Sequence, residues 1–134
     1  MKAEEIFNYL LNEANEKFDP TTDGLTAGDK DKDVRKLATC FKLTADLIQV
    51  AREQGIDMII THEPLFSTGD VFEGTNRVDK MKRDFLEESN ITVYRFHDHA
   101  HCEPDYIHTG FFDALDLKIT KNIQEKVWVY AVTS

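Results

Sequence analysis

His97, His99 and His101 fall within one run, His97-Asp98-His99-Ala100-His101, and Cys102 follows directly. No other segment gathers so many groups that ligate metals or carry protons. In an extended chain, residues 97, 99 and 101 share one face; in a helical turn, 97 and 101 do. Either geometry lets His97 and His101 converge on one ion. Imidazole suits Zn, Fe, Mn or Ni in a mixed nitrogen and oxygen site, and such an ion lowers the pKa of water. A second ligand-type pair, His62-Glu63, stands before Pro64, which favours an extended Glu63 ahead of a turn. His62 can ligate while Glu63 ligates too, bridges a second ion or serves as a general base. Each group has a plainer alternative: a solvated polar loop for 97–101, and a strand-terminal histidine bonded to a backbone carbonyl for His62.

The neighbours of these residues are assigned lesser parts. Asp98 can orient a histidine, and His99 can turn away to contact groups behind the ligands. His108 reads as a packing residue within a helix. Cys102 lacks the partners of a nucleophilic cysteine and reads as a structural or incidental thiol.

The elements that must position these groups are legible from periodicity. Residues 3–17 place Ile6, Tyr9, Leu10 and Ala14 at helical spacing. A long loop is expected over 19–33, with Gly24, Gly28 and the solvated run Asp29-Lys30-Asp31-Lys32-Asp33. A strand follows over 34–43, then a helix over 45–54 capped by Thr44 and ended by Gly55. Residues 56–61 form the next strand. After a loop over 62–75, Val78, Met81, Phe85 and Leu86 mark a helix that stops near Asn90. Strand 91–96 delivers the histidines, and a helix over 104–116 and a strand over 127–132 complete the order. Alternating helices and strands predict a mainly parallel sheet flanked by helices, layered α/β/α, in a single domain over 1–134. Parallel strands 56–61 and 91–96 then end at one sheet edge, so His62 and His97 share a crevice although 35 positions separate them.

Composition narrows the function classes. The 134-residue chain is 41% hydrophobic and 31% charged, as suits a folded domain. With 25 acids against 16 bases its net charge is −9, which repels phosphodiester backbones and argues against direct nucleic-acid binding. No apolar run reaches membrane-spanning length and the start lacks a secretory pattern, so a cytoplasmic protein without a membrane partner is expected. Cys40 and Cys102 are too few for a disulfide framework.

At this level the chain resembles a known family. Thr61-His62-Glu63-Pro64-Leu65-Phe66 is similar to the THHPLF motif of the NIF-three-like dinuclear metal-centre proteins, also described as GTP cyclohydrolase I type 2 proteins. The segment from Tyr94 to His101 matches their HTNLD motif in position, and Gly24-Leu25-Thr26-Ala27-Gly28-Asp29 resembles their GLxVGD loop. The resemblance implies an α/β fold, one or two divalent metal ions per chain, a small-molecule substrate, and a homo-oligomer built from dimers, often a hexamer. By position, His62 and His97 match family ligands in identity. Glu63 stands where the family has a second histidine, and His101 where it has an aspartate, as though a histidine and an acid had exchanged strands. The expected metal ligands are therefore His62, Glu63, His97 and His101, with Glu63 also the expected catalytic group. Family members continue through a second half that supplies further ligands, so the chain is expected to be the N-terminal half of a longer protein.

Two function classes follow. One is a metal-dependent hydrolase of the cyclohydrolase or phosphatase type, acting on a nucleotide- or pteridine-like substrate. The other is a non-catalytic assembly module that keeps a structural metal. A histidine-pair barrel of the amidohydrolase type needs about 250 residues and is set aside.

Overall fold

The computed structural model describes residues 1–14, 17–74, 76–101, 110 and 112–116, and the backbone of 121–125 and 128–132. Its elements are α1 (Ala3–Glu13), β1 (Gly24–Ala27), β2 (Leu37–Cys40), α2 (Ala45–Glu53), β3 (Met58–Thr61), α3 (Arg77–Ser89), β4 (Thr92–Arg95), a 3-10 turn (His99–His101), β5 (Lys121–Glu125) and β6 (Trp128–Val132). The main sheet has the order β1-β4-β3-β2. Strands β2, β3 and β4 are parallel, and β1 is antiparallel to β4.

The two-residue alternation of β3 and β4 builds the layers. Met58, Ile60 and Tyr94 pack under α1 against Ala3 and Phe7, with the Phe7 and Tyr94 rings 4.5 Å apart. Ile59 and Val93 point to the opposite face, where Ile48 and Ala51 of α2 and Leu86 of α3 cover them. Every residue of β3 and β4 is buried, as expected of central parallel strands covered on both faces. Full burial of a side chain such as Ile48 stabilises the fold by about 1.5–3 kcal/mol. The result is the expected α/β/α arrangement.

Local chemistry sets the helix ends. The Glu5 carboxylate accepts the Lys2 N–H at 2.8 Å and opens α1. Thr44 Oγ1 accepts the Leu47 N–H at 3.3 Å and caps α2. Asn76 caps α3, which closes on Asn90 in the left-handed conformation at φ 54°.

The expected loop over 19–33 needs correction, because β1 lies inside it. Gly24-Leu25-Thr26-Ala27 is too short to show a period, and pairing with β4 makes it a strand. Gly28 is required beyond it. Its φ is +89°, and a Cβ there would stand 2.7 Å from Thr92 Cα. The first helix is shorter than its apolar spacing predicts, since Ala14 is already extended at ψ 135°. The last strand also has a different partner. β6 pairs with β5 in a separate antiparallel ribbon, an arrangement the sequence reading did not contain. The expected helix over 104–116 falls mostly outside the described residues, as do His108 and Cys102. Among the described residues, no helix is long and apolar enough to cross a membrane.

Candidate metal centre

Strand register explains why distant histidines meet. In the parallel β3–β4 pair Thr61 stands opposite Arg95, so His62 and His97 leave neighbouring strands at the same sheet edge. The Phe96 N–H donates to the Thr61 carbonyl at 2.9 Å and extends that register by one step. Beneath the site Arg95 is buried at 9% exposure. It donates to the His62 carbonyl at 3.2 Å and pairs with Asp70 at 3.0 Å.

The turn that follows brings in His101. The Ala100 N–H donates to the His97 carbonyl and the His101 N–H to that of Asp98, which curls the chain through His99–His101. One ring nitrogen from each of His62, His97 and His101 then lies within 4.8 Å of the other two. His62 Nε2 and His101 Nε2 are 3.3 Å apart. The His62 and His97 rings stack at 4.4 Å, and Phe41 stacks on the other face of His62 at 5.0 Å. His99 is turned away, as its expected lesser part requires. Glu63 adjoins the cluster in sequence, but its carboxylate is not among the groups gathered there. Its N–H donates to the Phe41 carbonyl at 2.8 Å.

Hydrogen bonds behind the rings select which nitrogens face inward. His62 Nδ1 lies 3.2 Å from the Phe96 carbonyl, which can only accept, so Nδ1 carries the proton and Nε2 presents a lone pair. His97 Nδ1 lies 2.9 Å from Asp98 Oδ1 and is held in the same tautomer. Such carboxylate–histidine pairs commonly orient metal-binding imidazoles. Burial pushes the His62 pKa below its ordinary value, and the neighbouring His97 adds to that shift, so the ring is neutral at pH 7. Burial alone would raise the Asp98 pKa. The Thr22 N–H, the His97 ring and the Thr21 and Thr22 hydroxyls outweigh it and hold the carboxyl well below the usual range.

This donor set fits a divalent cation. Two nitrogens each ~2.05 Å from one tetrahedral ion stand ~3.3 Å apart, which is the His62–His101 separation. His62, with its outer proton held by the Phe96 carbonyl, presents Nε2 without rearrangement. In the metal-free protein a His101 Nε2–H can donate to His62 Nε2, so a cation takes the place of that proton.

The segment that supports the turn escaped the sequence reading. Antiparallel pairing sets Gly24 opposite Arg95, so residues 21–23 lie beside 97–99. The Asp23 carboxylate accepts the N–H groups of His97, Asp98 and His99, and Oδ2 lies 2.6 Å from His99 Nδ1. Thr21 Oγ1, Thr22 N–H and Thr22 Oγ1 donate to Asp98 Oδ2 at 2.9, 2.7 and 3.1 Å. The only sequence signal for this clamp is the Thr21-Thr22-Asp23 run itself, three short side chains suited to bonding backbone groups.

Comparison with known proteins places this architecture. The sequence profile of Duf34/NIF3 (NGG1p interacting factor 3) matches residues 1–132. A GTP cyclohydrolase 1 type 2 homolog of Methanocaldococcus jannaschii is 31% identical over 118 residues, covering 86% of this chain and 46% of that protein. A homolog of the same name from Clostridium perfringens is 30% identical over 119 residues, covering 86% and 43%. Among solved structures, reduced HcgD from Methanocaldococcus jannaschii superposes with a TM-score of 0.74 at 25% identity, covering 95% of this chain and 52% of that one. Bacillus cereus protein related to NIF3 gives 0.71 at 18% identity, covering 91% and 36%, a likeness of fold alone. The chain spans about half the length of the curated relatives it matches.

Proposed function

Because the chain belongs to the Duf34/NIF3 family, we propose that it is a divalent-metal protein with a hydrolytic centre at the C-terminal edge of β3 and β4. The observation that carries this reading is the convergence of His62, His97 and His101, with the outer nitrogens of His62 and His97 already committed to Phe96 and Asp98. When bound, a divalent cation supplies Lewis acidity, polarising a carbonyl or phosphoryl oxygen and lowering the pKa of water.

The protein's own residues do the rest. His62, His97 and His101 hold the ion through nitrogen. Asp98 keeps His97 in one tautomer and orientation. Glu63, next to His62 along the chain, is assigned the general base, taking a proton from water as it attacks. The family names support a nucleotide- or pteridine-like substrate. The chain covers about half the length of those relatives.

A second reading draws support from the donor set: three imidazoles suffice to hold one structural ion, without a gathered carboxylate. In that reading the metal stabilises a homo-oligomer and no turnover occurs. Zinc-, manganese- and iron-loaded protein incubated with a panel of nucleoside triphosphates and pterins, followed by chromatography, separates the two. Product that disappears on chelation and falls sharply in Glu63→Gln supports hydrolysis. No product, together with oligomer mass lost on chelation in light scattering, supports the assembly role.

A further inference from the structure

His99 serves a different space from the other histidines of its turn. A cleft of about 420 Å3 opens beside α1, lined by Asn8, Asn12, Lys17, Phe18 and His99 but by none of His62, His97 and His101. His99 is only 5% exposed. Its Nδ1 is taken by Asp23, its ring meets the Phe18 ring edge-on at 5.3 Å, and Phe96 lies parallel at 6.4 Å. These contacts fix the ring and leave one polar atom over. Nε2 has no partner among the described residues. His99 Nε2 is not among the enclosed polar atoms without a partner, so it opens to the cleft, where a ligand can meet it. Because Asp23 accepts the Nδ1 proton, Nε2 presents a lone pair and selects a ligand that donates O–H or N–H.

The remaining wall indicates the rest of that ligand. Asn8 and Asn12 lie one turn apart on α1 and offer two carboxamides to the same space. Lys17 adds an ammonium. Among the described residues that line the cleft none is a carboxylate, although the chain carries 25 acids against 16 bases. A lysine and two carboxamides, with no acid among the described lining residues, favour an anion on so acidic a protein. Phe18 offers a flat apolar face, which suits the C–H side of a sugar ring. The volume lies in the range of small-ligand sites.

We propose that this cleft binds a small hydroxylated anion of the sugar-phosphate class. A ligand hydroxyl donates to His99 Nε2, the phosphate meets Lys17, the Asn8 and Asn12 carboxamides bond the remaining hydroxyls, and Phe18 covers the ring. This site stands apart from the metal centre and does not depend on it.

The test is NMR of the full-length chain with labelled histidine, titrated with ribose 5-phosphate and, in parallel, with ribose and with inorganic phosphate. The expected result is a saturable shift of the His99 imidazole signals with a Kd of about 1 mM or tighter for ribose 5-phosphate, and weaker binding of either half. Lys17→Glu and Asn12→Asp alter exposed side chains, so their circular dichroism and metal content should match the parent. Each should weaken ribose 5-phosphate binding by about tenfold or more, as loss of one charge-assisted contact does. A His99 signal unmoved by all three probes would overturn the proposal. So would binding that both variants retain, or phosphate alone binding as tightly as the sugar phosphate.

Discussion

Asp23 lies against His99, with Oδ2 2.6 Å from His99 Nδ1, although 76 positions separate the two residues. The same carboxylate also receives three consecutive backbone N–H groups of the turn, from His97, Asp98 and His99. Its side chain is fully buried. One acid just before β1 thereby shapes the turn that brings His97 and His101 together.

Replacing that acid should therefore damage both fold and site. Asp23→Ala leaves three N–H donors and a buried imidazole without an acceptor, and should lower unfolding free energy by about 3–5 kcal/mol. Asp23→Asn keeps one carbonyl acceptor and should retain more stability. Urea unfolding reads the first effect. Competition with a chromophoric chelator reads the second, where Asp23→Asn should still bind metal more weakly than the parent.

Asp98 lies one step closer to the proposed metal ligands, against His97. Loss of its charge should free the His97 tautomer and weaken metal affinity by about 10–100-fold. The same residue has a signature in acid. Its folded-state pKa is depressed, so it contributes stability above the ordinary value of 3.8, and that contribution is lost as pH falls below 3.8. Stability measured against pH should be less acid-sensitive in Asp98→Asn than in the parent across that window.

His62 has a signature of the same sign, nearer neutrality. Burial, followed by the neighbouring His97, lowers its pKa below the ordinary 6.5. The unfolded chain therefore binds more protons than the folded one just below pH 6.5, so stability of the metal-free protein is lost as pH falls through that range. His62→Gln, a neutral side chain, should flatten that part of the curve. Thermal unfolding in the presence of a chelator, repeated at several pH values, checks it.

Gly28 is a backbone requirement at some distance from the chemistry. Gly28→Ala puts a Cβ within 2.7 Å of Thr92 Cα at a φ of +89°. The clash should cost about 1–3 kcal/mol, with further strain from the left-handed conformation. Denaturant unfolding measures the loss. Because Asp23 immediately precedes β1, metal affinity should fall in parallel.

The parts of this arrangement that were legible in the sequence have strong local signals. The apolar runs ending at His62 and His97 mark β3 and β4, and their parallel order alone predicts a shared crevice. Thr44 and Gly55 bracket α2 by capping chemistry. β1 was not legible, since four residues without alternation become a strand only by pairing with β4. Asp23 was hidden for the same reason: its partners lie across that pairing. The separate role of His99 also depended on Asp23, because spacing alone leaves residues 97, 99 and 101 equivalent in an extended chain.

In the proposed function His62, His97 and His101 together hold one divalent ion. Purified protein dialysed against zinc and then against metal-free buffer should retain about one equivalent or more by inductively coupled plasma mass spectrometry. His62→Ala, His97→Ala and His101→Ala should each fall to about a tenth of an equivalent or less, since each removes one of the gathered ligands. Parent protein that retains less than about a tenth of an equivalent, or content unchanged by His97→Ala, would contradict the claim.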